Sequence, residues 1–254
     1  MSNKIVYMIH TGEITELEYK CIKSLRRHSE DCKIYLYTFK DELKNIDRLS
    51  EFNIDFKELD HSTWDNRRMA NKIETIQKVI DDTSMSSDGD CVLVLDSDLY
   101  FQDDPFKLFE RFSNGDVFIT SRGYSYKWSI NAGVWGFVNN EKSRRFVEFY
   151  INQIQNPSWD TLVEWRRQVG RGDSLDWWVD QDFLCIINDK GLPEELSDLV
   201  LLDIGPQYNY CPSTDIMGDE TSKEMLRTAI GNTDYKILHL KASLKHIFDI
   251  GELE

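Results

Sequence analysis

Apolar residues in the first hundred positions fall into two alternating rhythms. Residues 5–9 (Ile-Val-Tyr-Met-Ile), 34–38 (Ile-Tyr-Leu-Tyr-Thr) and 91–95 (Cys-Val-Leu-Val-Leu) are short runs of strand formers, and 54–59 alternates weakly. Runs of that length and composition suit strands buried on both faces. Between them, Leu17, Cys21 and Leu25 recur at helical spacing over 16–28, and Met69, Ile73, Ile76, Val79 and Ile80 do so over 69–80. Strand and helix thus alternate from residue 5 to residue 95, which predicts a parallel α/β sheet.

The second half is less regular. Strands are expected at 117–120, 132–138, 199–202 and 237–240, with helices at 141–153 and, in an Asp-rich stretch, at 178–189. Trp159, Trp165, Trp177 and Trp178 crowd the interval between those helices, where they serve equally as core residues or as an aromatic face for a sugar. No repeat, linker or low-complexity stretch interrupts the pattern, so one domain is expected over residues 1–254. In an open α/β sheet ligands gather at the carboxyl ends of the strands. Chemistry is therefore expected just after each run.

Composition narrows the function classes. With 41% hydrophobic residues the chain can build a sizeable core, and with a net charge of −15 it suits neither nucleic acid nor an anionic membrane surface. The apolar runs are far too short to span a bilayer. The first run is also too short for a signal-peptide core. Five dispersed cysteines form no Cys-x-x-Cys pair, and Asn156, followed by Pro157, leaves no glycosylation acceptor. Reduced thiols in a cytoplasmic protein are the expectation.

The acidic excess has one notable location. Asp96-Ser97-Asp98 directly follows the run at 91–95, and an extended backbone turns both carboxylates to the same side. Such a pair at a sheet edge suits an oxygen-preferring cation, Mg²⁺ or Mn²⁺. No lysine or arginine lies between Lys78 and Lys107, an interval holding eight aspartates. The triplet alone carries little weight: 27 aspartates give about three Asp-x-Asp triplets by chance, and three occur. Only the preceding buried strand sets this one apart. Two metal-dependent classes place an acidic pair there, phosphatases with a strand-end Asp nucleophile (here Asp96) and sugar-nucleotide transferases. The phosphatase motif usually follows the first strand of its sheet, whereas some 90 residues precede it here.

An ordered set of four segments is more specific. Leu93-Val-Leu-Asp-Ser-Asp-Leu-Tyr-Phe-Gln-Asp-Asp-Pro-Phe-Lys-Leu108 resembles the DxD strand of GT-A fold glycosyltransferases with its trailing DP…L helix start. Asn131-Ala132-Gly133-Val134 resembles their N(S/T/A)G(V/F) segment, and Asp180-Gln181-Asp182 their DQD helix. His239-Leu-Lys-Ala-Ser-Leu-Lys245 resembles the HF.G..K ending of the glycogenin and lipopolysaccharide-galactosyltransferase family (glycosyltransferase family 8), although Ala242 stands for the glycine and no Pro-Trp follows. The four occur in family order between positions 93 and 245. The nucleotide-diphospho-sugar transferases match the middle segment as well.

The resemblance implies a GT-A, Rossmann-like fold with a mixed central sheet flanked by helices. It implies a hexosyltransferase-like, Mn²⁺-dependent enzyme (Mg²⁺ the alternative ion) that transfers a sugar from a UDP-sugar, or a GDP-sugar, to a glycan or other hydroxyl acceptor with retention. Asp96, Asp98 and His239 would hold the metal. His10, Thr11, Tyr37, Lys72, Ser97, Asn131, Ala132, Gly133 and Lys245 would line the nucleotide-sugar site, with Arg67 and Arg68 as rivals to Lys72. Asp180, Gln181 and Asn131 would act at the reacting sugar, and Asp182 is either their neighbour or a surface acid. Two alternatives stay open beside the transferase: the phosphatase, and a non-catalytic sugar-nucleotide-binding protein on a decayed transferase fold. The residues set neither the sugar nor the oligomeric state.

Overall fold

The computed structural model describes residues 2–10, 12–39, 44–59, 87–122, 129–155, 160–170, 179–212, 217–240 and 244. The helix expected at 69–80, with Arg67, Arg68 and Lys72, lies outside them, as do Thr11, Trp159, Trp177, Trp178 and Lys245.

Among the described residues, seven strands form the main sheet: β1 (Lys4–Ile9), β2 (Lys33–Phe39), β3 (Ile54–Leu59), β4 (Cys91–Leu95), β6 (Val117–Ile119), β7 (Val134–Val138) and β8 (Leu201–Asp203). Their order is β3-β2-β1-β4-β7-β6-β8. The first four are mutually parallel, as the strand–helix alternation requires, and β6 and β8 run parallel to each other. Only β7 is reversed, antiparallel to both β4 and β6. Because of that reversal, β7 begins at the edge where β4 ends. A short second sheet pairs β5 (Leu99–Phe101) antiparallel with β9 (Ile237–His239).

The period of two along each strand divides the core. Val6, Met8, Ile34, Leu36, Leu93 and Leu95 face one side and pack with Cys21, Ile22 and Leu25 of α1 (Glu16–His28) and Leu108 and Phe109 of α2 (Lys107–Arg111). Ile5, Tyr7, Tyr35, Val92, Val94, Trp135 and Phe137 face the other. There they meet Phe146, Val147 and Tyr150 of α3 (Glu141–Gln155), Trp165 of α4 (Asp160–Gln168), and Phe183 and Leu184 of α5 (Val179–Lys190). Helix α6 (Asp219–Ala229) covers β9 through Leu226 and Ala229.

Helix α1 shows how local sequence sets an element's ends. Thr15 caps it: its Oγ1 accepts from Leu17 N–H (3.2 Å), and Glu18 Oε2 accepts from Thr15 N–H (2.9 Å). Such a capping box contributes about 1 kcal/mol. Glu16 and Glu18 occupy the first turn and Arg26, Arg27 and His28 the last, each sign complementing the helix dipole. The expected segments that fall on described residues form within a few residues of their expected bounds. The tryptophan-rich interval contains α4, where Trp165 is 3% exposed and its Nε1 donates to Asp189 (3.2 Å), a core role. No helix among the described residues is long and apolar enough to cross a membrane.

Candidate active site

The carboxyl end of β4 is the centre of the site. After Leu95 the chain leaves the sheet as Asp96-Ser97-Asp98 and re-enters extended structure as β5. Asp96 N–H donates to Gly133 O (2.8 Å), so the turn that opens β7 is tied to the acidic pair. Within that turn the side chain of Asn131 accepts from Gly133 N–H (3.0 Å). On the other side β5 pairs with β9, with Leu99 opposite His239, and Leu240 N–H donates to Asp98 O (2.9 Å).

These links bring three side chains from distant parts of the chain together. His239 Nε2 lies 3.0 Å from Asp98 Oδ1 and 3.6 Å from Asp96 Oδ2. One ligand atom from each of Asp96, Asp98 and His239 lies within 4.8 Å of the other two. His239 is fully buried and Asp98 nearly so, while Asp96 is partly exposed. Two carboxylates and an imidazole are a donor set suited to a divalent cation.

Gly133 gives an independent sign that the cluster is built to stay compact. A Cβ there would sit 2.2 Å from His239 Cε1 and 2.7 Å from both Asp96 Oδ2 and His239 Nδ1. Real Cβ atoms do not approach other atoms so closely, so only glycine leaves the cluster its place.

Among the described residues, several others of the expected set lie near the same edge. His10 follows β1; its Nδ1 is 3.0 Å from Ser97 Oγ and its Nε2 is 3.2 Å from Glu13 O. A carbonyl oxygen only accepts, so Nε2 carries a proton and Nδ1 faces the serine hydroxyl. His10 N–H also donates to the backbone oxygen of Tyr37 (3.0 Å) on β2. His10, Tyr37 and Ala132 are all buried.

Asp180 and Gln181 stand in the first turn of α5 and are also buried. Arg122, three residues beyond β6, joins that helix to the edge: its Nη2 donates to Gln181 Oε1 (3.1 Å). Asp182 is not a surface acid. It is fully buried and pairs with Arg166 of α4 at 2.8 Å, an ion pair enclosed on both sides. Removing one charge of such a pair strands the other. Asp182→Asn is therefore expected to lower unfolding free energy by about 3 kcal/mol in urea titration.

Two site residues lie outside the sequence-based expectation. Arg122 could have been found by inspecting the carboxyl end of β6 as closely as that of β4. Asn209, fully buried, accepts from His239 Nδ1 at 2.8 Å. Its only local signal is the turn-forming Gly205-Pro206 shortly after β8, which marks a loop at this same edge.

No protein-family model matches the chain, and no curated protein matches it. Solved structures do. Mouse xyloside xylosyltransferase 1 superposes with a TM-score of 0.55 at 16% identity, over 94% of this chain and 97% of that one. The glycosyltransferase GlyE of Streptococcus pneumoniae TIGR4 matches with a TM-score of 0.53 at 19% identity, over 95% of this chain. The galactosyltransferase LgtC, solved with donor and acceptor sugar analogs, matches with a TM-score of 0.52 at 15% identity, over 98% of this chain and 93% of that one. The fold is that of the GT-A glycosyltransferases. This chain spans about half the length of GlyE, 55% of it.

Proposed function

We propose that this chain is a metal-dependent glycosyltransferase that moves a sugar from a nucleoside-diphosphate sugar, a UDP-sugar first, to an acceptor hydroxyl with retention. The observation that carries the reading is the convergence of Asp96, Asp98 and His239 at the carboxyl edge of a GT-A sheet. The similar structures, a xylosyltransferase and a galactosyltransferase with donor and acceptor analogs among them, support the reaction class. A phosphatase of the rival class usually carries its nucleophile after the first strand, whereas Asp96 follows β4.

A divalent ion, Mn²⁺ in this proposal and Mg²⁺ second, supplies charge neutralisation for the diphosphate that leaves. Asp96, Asp98 and His239 hold it. His10 orients the Ser97 hydroxyl between the two carboxylates. Tyr37, with Thr11, lines the base and ribose pocket, and Lys72 and Lys245 supply cations to the donor. The turn at Asn131, Ala132 and Gly133 lets the backbone approach the donor sugar closely. Arg122 holds the Gln181 carbonyl oxygen, and Gln181 Nε2 has no partner among the described residues. That amide is the donor offered to a sugar oxygen, beside Asp180. A single domain over residues 1–254 carries all of this.

The cytoplasm is the proposed compartment. All five cysteines are free. Burial pushes the Cys32 thiol up to about 11, with Arg26 opposing it, and pushes Cys21 further still. Such thiols are poor nucleophiles.

Thermal unfolding with UDP, GDP and CMP, each with and without Mn²⁺, tests the donor class. Ligand at about 100 times its dissociation constant adds about 2.7 kcal/mol. For a chain of this length that is a rise in Tm on the order of 5–10 °C. A rise requiring UDP and Mn²⁺ together is the expected result. A rise with another nucleotide moves the donor class, and no rise with any removes the proposal.

A further inference from the structure

The face of His239 away from the carboxylates is as closely specified as the face toward them. Thr120, Asn131, Asn209 and His239 are all fully buried and form one polar cluster. Asn209 Nδ2 lies 2.8 Å from Thr120 Oγ1 and 3.1 Å from Asn131 O. A backbone oxygen cannot donate, so the group facing it is the amide NH₂, and the opposite atom, facing His239, is the amide oxygen. That oxygen is 2.8 Å from His239 Nδ1, and it too can only accept.

A competing contact exists. Asn131 Nδ2 stands 3.5 Å from the same Nδ1, and a bare nitrogen could accept from it. The two arrangements require opposite tautomers. The distance decides between them: 2.8 Å is a full-strength hydrogen bond, whereas 3.5 Å is at the outer limit of one. Asn131 is also engaged elsewhere, its side-chain oxygen holding Gly133 N–H.

We infer that Asn209 is a positioning residue that keeps the proton of His239 on Nδ1, so that Nε2 presents its lone pair toward Asp96 and Asp98. The inference rests on the metal-site reading above and deepens it. Histidine ligands need their second nitrogen tied to an acceptor to fix both ring plane and tautomer, and loss of that acceptor typically weakens metal binding about 10–100-fold. Thr120 and the Asn131 backbone oxygen orient Asn209 and thereby act on His239 at one remove.

The test combines a spectrum of the unaltered protein with a titration of two variants. In histidine-labelled wild-type protein without metal, ¹H–¹⁵N spectra should show His239 Nδ1 protonated with a slowly exchanging proton. In Mn²⁺ titrations, Asn209→Leu should bind about 10–100-fold more weakly than wild type. Asn209→Asp, which restores an acceptor opposite Nδ1, should recover most of that loss. A bare Nδ1 in the wild-type spectrum overturns the inference. So does a folded Asn209→Leu that binds Mn²⁺ within twofold of wild type, or an equal loss in both folded variants. If Asn209→Leu does not fold, the wild-type spectrum decides. Wild-type protein that ignores Mn²⁺ would remove the metal-site reading instead, and the spectrum would still decide the tautomer.

Discussion

Asp98→Asn should bind Mn²⁺ more weakly by a factor on the order of 100 or more, with donor turnover falling in step. Losing the acceptor behind a ligand already costs about 10–100-fold, and here the ligand charge itself is removed. Asp98 is nearly buried and its Oδ1 is 3.0 Å from His239 Nε2, so the substitution removes a charged ligand from inside the cluster and leaves Asp96 as the one carboxylate beside the imidazole there. The fold should persist, because the backbone bond from Leu240 N–H to Asp98 O does not involve the side chain. Isothermal titration with Mn²⁺, alongside circular dichroism, separates the two effects. His239→Ala should behave alike. If both variants keep wild-type affinity, the metal is held elsewhere.

Gly133→Ala is the sharper geometric test, because it adds a single methyl group and removes nothing. The new Cβ would collide with His239 and Asp96 together. His239 cannot retreat: it is fully buried, its N–H donates to Tyr210 O (2.9 Å), and its strand pairs with β5. The displacement therefore falls on the ligand geometry, and a shift of about 1 Å at such a site costs about 100-fold in rate. Loss of that size in kcat/KM is expected, with weaker Mn²⁺ binding. Gly136→Ala serves as the control. Its Cβ would press on Val92 O, 2.6 Å away between β7 and β4, so it should lower Tm by distorting the sheet rather than the site.

The parallel half of the fold was legible because β1, β2 and β4 are buried on both faces, which leaves runs such as 91–95 almost wholly apolar, while the more exposed edge strand β3 only alternates weakly. Elements with little apolar content were not. Helix α6 buries only Leu226 and Ala229 among its hydrophobic residues, too few to show a period. Strand β5 is three residues long and sits inside the acidic motif, where it reads as part of a loop. That omission mattered, since the pairing of β5 with β9 carries His239 to the aspartates. Motif order anticipated the three residues as a set, whereas their distances depend on pairings between segments far apart in the chain. Asn209 was hidden for the same reason. Its partners are Thr120, Asn131 and His239, and no local pattern relates those positions. For Asp182 the sequence left a site neighbour and a surface acid both open, and its buried partner Arg166 removes the second.

The most direct test of the central claim is release of UDP from a panel of UDP-sugars by purified wild-type protein, with Mn²⁺ and after chelation. The account predicts UDP release with at least one UDP-sugar that requires the divalent ion and is lost in Asp98→Asn. Release unaffected by chelation, or equal in Asp98→Asn, would contradict it.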